Sequence, residues 1–380
     1  MKILQVNVTF TPIGGGVPAI LYQLSKALMQ KGHEVVIYAS DFKLDQEFIN
    51  SLRGVRVYPF HCWLRVARVY LVSGMIGEAK RKLKDFDIIH LHCFRSFQSI
   101  IVHHYAKKYG IPYVLQARGS LITFFQKKWQ KRIFDVIWGH RILKDASKLV
   151  ALTPMEAAQY RNMGISEDKI EIIPNGIELS EFDNLPERGE FRRKYYLNDV
   201  QKVILYLGRI HKTKGLNLLV IAFAELSKLL NNVKLVIVGP DDGYLPSLKK
   251  LIAELEISNE VLLTGHLYGE DKVEAYVDAD VFVLPSVYEI FGNVVLEACA
   301  CGTPVVVTDR CGIADAVDGQ AGLVVPYDKD QLRDGLLHIL SDDKMRLRFG
   351  EKGKLLVRER FSWEKIAERI EDIYKRCINQ

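Results

Sequence analysis

The chain has 380 residues, 48% of them hydrophobic, enough to fill the cores of two domains of roughly 150 to 200 residues each. Its formal net charge of +6 is unevenly held: the residues through Glu178 carry 25 Lys and Arg against 14 Asp and Glu, and the remainder carries 27 against 32. No run approaches the roughly 18 apolar residues of a membrane span, no nucleic-acid-binding module accompanies the basic charge, and MKILQVNV enters a strand directly; the expectation is a cytoplasmic globular protein without a signal peptide or a nucleic-acid partner.

Short β-rich runs alternate with helical ones from the first residues onward. ILQVNV, EVVIYA, VRVYPF, DIIHLH, YVLQA, KLVAL and IEIIP form one series; VILYLG, LVIVG, VLLTG, VFVLP, VVVT and GLVVP form a second. Such alternation predicts parallel sheets covered by helices, and two series predict two doubly wound Rossmann-like domains, an α/β architecture whose ligands lie beyond the carboxyl ends of the strands, in the cleft between domains. Periodicity lapses and Pro, Asn and Gly gather in PNGIELSEFDNLPERG, which places the boundary near residue 178: an N-terminal domain over 1–178 and a C-terminal one over 179–361. The six cysteines make no CxxC, and Cys299 and Cys301 fall in an apolar helix, so they are read as free buried thiols.

After the first strand, Gly14, Gly15 and Gly16 precede Pro18 at a helix start, where glycine lets backbone amides approach an anion. The spacing is neither GxGxxG nor GxxxxGK, which removes the main support for a nicotinamide dinucleotide or a P-loop. In the fourth run, His90 and His92 point the same way from a strand and are a metal pair in principle, with no third ligand nearby in sequence. YVLQA is followed by Arg118. FFQKKWQKRIFDVIW, Phe124 to Trp138, mixes Trp129, Ile133 and Trp138 with Lys127, Lys128, Lys131 and Arg132. That composition suits a helix lying on an anionic membrane and equally a core-facing helix with a solvated basic edge. Thr153, Pro154 and Glu156 read as a capping box.

In the second series, VILYLG releases Arg209, and IHKTKG places Lys214 just ahead of a helix starting near Leu216. A lysine at a helix N-terminus opposes the macrodipole by up to about 1 kcal/mol, so its presence implies an incoming anion. Arg209 and Lys214 together suit a diphosphate without a metal. Glu289 and Glu297 stand eight residues apart in SVYEIFGNVVLEACACGTPVVVTD, the first in a loop, the second one turn inside the helix beyond Asn293. Neither finds a donor in its neighbouring sequence, and the hydroxyls of a nucleotide-linked sugar suit both, with the amides at Phe291, Gly292, Asn293 and Val294 facing sugar or phosphate oxygens.

These motifs resemble those of the large retaining glycosyltransferase family 4, of two-Rossmann-domain (GT-B) architecture. The likeness runs nearly the full length: the GGG loop, ARGS, LTPMEAAQY, IIPNGI, LGRIHKTKG, VIVGPDDG and the E-x7-E of PSVYEIFGNVVLEACACGTPVV. The resemblance implies a nucleotide-sugar donor, UDP- or GDP-linked, with Glu297 on the ribose, Glu289 near the sugar, and Arg209 and Lys214 on the diphosphate. It further implies Gly15 and Gly16 near phosphate and sugar, Gly265 and His266 bordering the base, no metal, no cofactor, and a final helix over 362–380 packed on the N-terminal acceptor domain. Where many relatives carry a histidine, this chain has Arg118, which would touch sugar, phosphate or acceptor. The acceptor is expected to be a glycan or a lipid-linked saccharide met at the inner membrane face. A sugar-nucleotide epimerase or hydrolase of the same fold, and a non-catalytic sugar-nucleotide-binding protein, are the alternatives.

Overall fold

The computed structural model describes residues 1–11, 16–66, 69–121 and 128–379. The chain forms two compact units, one comprising Met1–Gly176 and Trp363–Gln380, the other Ile177–Ser362.

The first unit is built on strands β1 (Lys2–Thr9), β2 (Glu34–Ser40), β3 (Arg56–Phe60), β6 (Ile88–Leu91), β7 (Tyr113–Gln116), β8 (Lys148–Ala151) and β9 (Ile170–Ile172), with a small antiparallel pair, β4 (Leu64–Val66) and β5 (Val69–Leu71), set apart. The seven-stranded sheet is parallel, in the order β3-β2-β1-β6-β7-β8-β9. Its apolar runs are buried on both faces: Leu4, Val6, Ile89, Leu91 and Leu115 face one core, and Ile3, Ile88, Val114 and Val150 the other. The chain's last helix, Trp363–Ile378, fills the second face with Ile366, Ile370, Ile373 and Tyr374, residues that recur at helical spacing. Burying each is worth about 1.5–3 kcal/mol, so this helix is part of the unit's core.

The second unit holds β10 (Lys202–Leu207), β11 (Val233–Val238), β12 (Val261–Gly265), β13 (Val281–Leu284), β14 (Val305–Thr308) and β15 (Gly322–Val325), parallel in the order β12-β11-β10-β13-β14-β15. In both sheets the order reverses direction between two adjacent central strands, β1 and β6 in the first unit, β10 and β13 in the second. Loops leaving such strands diverge, opening a crevice at their carboxyl ends. Both series of strands expected from sequence are present; the short β4–β5 pair was not anticipated. Among the described residues no helix is long and apolar enough to cross a membrane.

Candidate functional site

In the second unit the strands at the reversal deliver the sequence-identified residues from both sides. Beyond β10, the loop carrying Arg209 turns toward the loop beyond β11: Ile210 N–H donates to Pro240 O at 2.8 Å, and Arg209 Nη1 meets Asp242 Oδ2 at 2.5 Å. The chain then makes a 3₁₀ turn, Lys212–Lys214, and enters the helix Leu216–Leu229 through Gly215. Gly215 has φ +70°, and a Cβ there would stand 1.7 Å from Pro285 O, so only glycine lets this turn close onto the loop leaving β13. Val287 N–H donates to Thr213 O at 3.0 Å across the same contact. The result is that Lys214 Nζ bonds Glu289 Oε2, an ion pair whose side chains are 18% and 20% exposed. Glu289 is fixed through its backbone as well, its N–H donating to Arg310 O at 3.0 Å and its carbonyl accepting from Gly312 N at 2.8 Å.

Phe291 is buried, and Gly292 at φ +95° starts the helix Asn293–Ala300, on which Asn293, Val294 and Glu297 are half-buried. Glu297, which has no donor in its neighbouring sequence, finds protein donors more distant in the chain. They come from the helix Gly269–Asp278: Tyr276 O–H donates to Oε2 at 2.9 Å and Lys272 Nζ lies 3.1 Å from Oε1. Burial, then the charge of Glu297, pushes the Tyr276 phenol well above its ordinary range. Gly265 ends β12 at φ +77°, and the exposed His266 ring lies 3.8 Å from that of Tyr268. Burial and the neighbouring Lys272 ammonium hold His266 below the usual imidazole range. The site residues of this unit therefore form three ion pairs, Arg209–Asp242, Lys214–Glu289 and Lys272–Glu297. Only Lys214 and Glu289, of the four sequence-identified charges, are joined to each other. Asp242, Lys272 and Tyr276 escaped sequence reasoning.

In the first unit Arg118 follows β7 with φ +50°. Its Nη1 donates to Asn175 Oδ1 at 2.7 Å and its Nη2 to Gln116 Oε1 at 2.6 Å, while Nε and Nη2 lie 3.3 and 3.1 Å from His92 Nδ1. Burial brings its guanidinium down to about 10. His92 Nε2 bonds Gln5 Oε1, Gln5 Nε2 donates to the Tyr374 hydroxyl at 3.3 Å, and that hydroxyl lies 2.6 Å from His90 Nδ1. The two histidines are thus engaged with side chains of β1 and the last helix, and among the described residues no group of three His, Cys, Asp or Glu could hold a metal ion. Glu156 departs from the expected capping box: Thr153 accepts from Glu156 N–H at 3.3 Å, but the Glu156 carboxylate accepts from Gly119 N at 2.6 Å and Leu152 N at 2.8 Å instead of returning to Thr153. It ties the turn after Arg118 to the end of β8. Gly16 opens the helix Gly16–Gln30, and Gly14 and Gly15 lie outside the described residues, as do Phe124, Phe125 and Lys127.

Two doubly wound parallel sheets, with cations and carboxylates set at the reversal point of the second, define the class of two-Rossmann-domain (GT-B) glycosyltransferases. Residues 14–181 match Glycosyltransferase Family 4, and residues 187–356 match Glycosyl transferases group 1. A glycosyltransferase of Methanocaldococcus jannaschii is 31% identical, the alignment covering 99% of this chain and 98% of that protein. A D-inositol 3-phosphate glycosyltransferase of Corynebacterium jeikeium is 35% identical, with 99% and 96% covered. The crystal structure of Anabaena HepE in complex with UDP shares the fold at TM-score 0.83 and 18% identity, covering 99% of this chain and all of that one. The chain belongs to the glycosyltransferase family 4 group of enzymes.

Proposed function

We propose that this enzyme transfers a sugar, with retention of anomeric configuration, from a nucleoside diphosphate sugar to an acceptor hydroxyl. The observation that carries the reading is the Lys214–Glu289 ion pair, locked by Gly215 at the carboxyl ends of adjacent strands β10 and β13. An ammonium already positioned there can exchange its carboxylate partner for a diphosphate oxygen. Arg209 makes the same exchange from Asp242, and the two cations offset the charge that grows on the leaving diphosphate. Released from Lys214, Glu289 accepts from sugar hydroxyls, and Glu297 accepts from the ribose diol in the company of Tyr276 and Lys272. Gly265 and His266 border the base. The acceptor attacks from the face the diphosphate leaves, a phosphate oxygen taking its proton, so residue cations meet the charge and no metal is called upon.

UDP and GDP are the favoured carriers. A thermal-shift panel of UDP, GDP and ADP sugars tests this, because a ligand of the folded state alone raises the melting point; no shift with any of them contradicts a nucleotide donor.

The first unit adds a reading of the acceptor. Trp129, Val136, Ile133, Ile137 and Trp138 are all exposed on the segment 128–145, Trp129 by 66% and Val136 by 76%. Ile137 and Trp138 line a groove of about 500 Å³ together with Ile100, Lys107, Lys108 and Arg141. Aromatic side chains beside a cluster of cations suit the interface of an anionic bilayer, which supports peripheral attachment and a lipid-linked saccharide acceptor. Vesicles containing anionic lipid should pull down the wild-type chain at low salt and lose most of the Trp129→Ala/Trp138→Ala variant; equal sedimentation of both contradicts the reading.

A further inference from the structure

Among the described residues, the buried side chains of Arg95 and Arg192 come with carboxylates, and the partly buried Arg118 does not. Arg95, which like Arg118 stands at positive φ after a strand of the first sheet, is held by both oxygens of Asp135, Nε to Oδ1 at 2.8 Å and Nη2 to Oδ2 at 2.6 Å. Arg192, 3% exposed, meets Asp280 at 3.1 Å. Arg118 has only neutral acceptors among the described residues: the amides of Asn175 and Gln116 and the imidazole of His92. The buried Glu156 carboxylate is turned onto the amides of Gly119 and Leu152 and makes no ion pair with it. None of the residues outside the described set is an aspartate or glutamate.

The neutral partners are themselves fixed. His92 Nδ1 faces the guanidinium and must be the unprotonated acceptor, so its proton sits on Nε2, where Gln5 Oε1 receives it. Gln5 donates to the hydroxyl of Tyr374 on the last helix, and that hydroxyl bonds His90 Nδ1. Burial and the charge of Arg118 keep both imidazoles neutral. A cation desolvated this far among dipoles, with the Glu156 charge nearby but no carboxylate in contact with it, costs stability unless an anion completes it. The left-handed backbone of a non-glycine residue adds to that cost.

We propose that the Arg118 guanidinium, oriented by His92, Gln116 and Asn175, is an oxyanion-binding site, and that the acceptor of the transfer carries a phosphate or carboxylate group which this site receives. The inference rests on the donor reading above, in which Arg209 and Lys214 already attend the donor diphosphate. A planar fork of donors suits either oxyanion in bidentate fashion.

The test uses the full chain with Arg209→Ala and Lys214→Ala, which removes the other anion-binding cations, and titrates inorganic phosphate and, separately, acetate by calorimetry. Saturable binding of at least one is expected. Asn175→Asp, which supplies a carboxylate 2.7 Å from Nη1 without changing side-chain size, should weaken that binding at least ten-fold and raise the melting temperature. Arg118→Gln should abolish it and Arg118→Lys should restore part of it. Absence of saturable binding, or unchanged affinity in Asn175→Asp, overturns the inference. In the otherwise wild-type chain, Asn175→Asp should leave UDP affinity within two-fold; a parallel ten-fold loss would assign Arg118 to the donor and overturn the acceptor role. If UDP affinity instead survives Arg209→Ala/Lys214→Ala, the donor assignment fails by itself, and the phosphate and acetate titrations still decide the oxyanion site.

Discussion

The strand ends of the two units carry positive side chains in opposite states of compensation. In the second unit Arg209 and Lys214 each lie against a carboxylate, as does Lys272 on the neighbouring helix Gly269–Asp278, whereas Arg118 in the first lies among amides and an imidazole. The difference teaches what each region asks of a ligand. An anion reaching the second unit has to displace a carboxylate, so it binds only by offering something to the displaced group too, and a diphosphate joined to hydroxyl-bearing sugars does both. An anion reaching Arg118 displaces nothing charged.

The largest expected effect lies on the paired side. Lys214→Ala should lower kcat by about 10² to 10³, the cost typical of removing one donor from a developing oxyanion, with unfolding midpoint measured alongside. A turnover within three-fold of wild type would mean the ion pair is structural and would dissolve the contrast. Next, Glu297→Gln should weaken donor binding by roughly ten-fold to a hundred-fold, the worth of about 1.5–3 kcal/mol for a hydrogen bond to a charged group. Calorimetry with UDP and GDP measures it, and kcat at saturation should change less than affinity. Lys272→Met sharpens the comparison: if Lys272 serves to hold Glu297, it should reproduce part of the affinity loss and leave the pH profile of kcat unmoved.

The smallest effect concerns the uncompensated side. His90 and His92 are held well below the ordinary imidazole range by burial and by Arg118, and in the unfolded chain they take up protons near pH 6.5. Below that pH the unfolded chain binds more protons than the folded one, so stability falls as pH drops from 6.5 and is fully present above it. The slope is up to about 1.4 kcal/mol per pH unit for each histidine. Glu156, raised by burial, has the opposite sign and blunts the trend closer to the usual carboxylate range. Urea midpoints between pH 7 and 5.5 should show a shallower slope in His90→Gln than in wild type; identical slopes would mean that His90 is not held neutral.

The strands were legible because each buried run is continuous and apolar and each is bounded by a turn signal, VILYLG and VFVLP being examples. The β4–β5 pair was not, since three-residue strands beside the exposed Trp63 and Leu64 carry no alternation to read. Lys214 was legible as a site residue because a base at a helix N-terminus opposes the macrodipole, and Glu289 because its neighbouring sequence offers its carboxylate no donor. Their pairing was not, because it crosses 75 residues and depends on Gly215 fitting under Pro285. Lys272 and Tyr276 were invisible for a related reason: on GEDKVEAYVD they are ordinary residues of an amphipathic helix, and only the packing of that helix beside Asn293–Ala300 gives them Glu297.

The most direct test of the donor site is a crystal structure of the chain with UDP or GDP. The account predicts a diphosphate within about 3 Å of Lys214 Nζ and the Arg209 guanidinium, with Glu289 parted from Lys214 and the ribose diol on Glu297. A nucleotide bound with the Lys214–Glu289 pair intact and its phosphates elsewhere would contradict it.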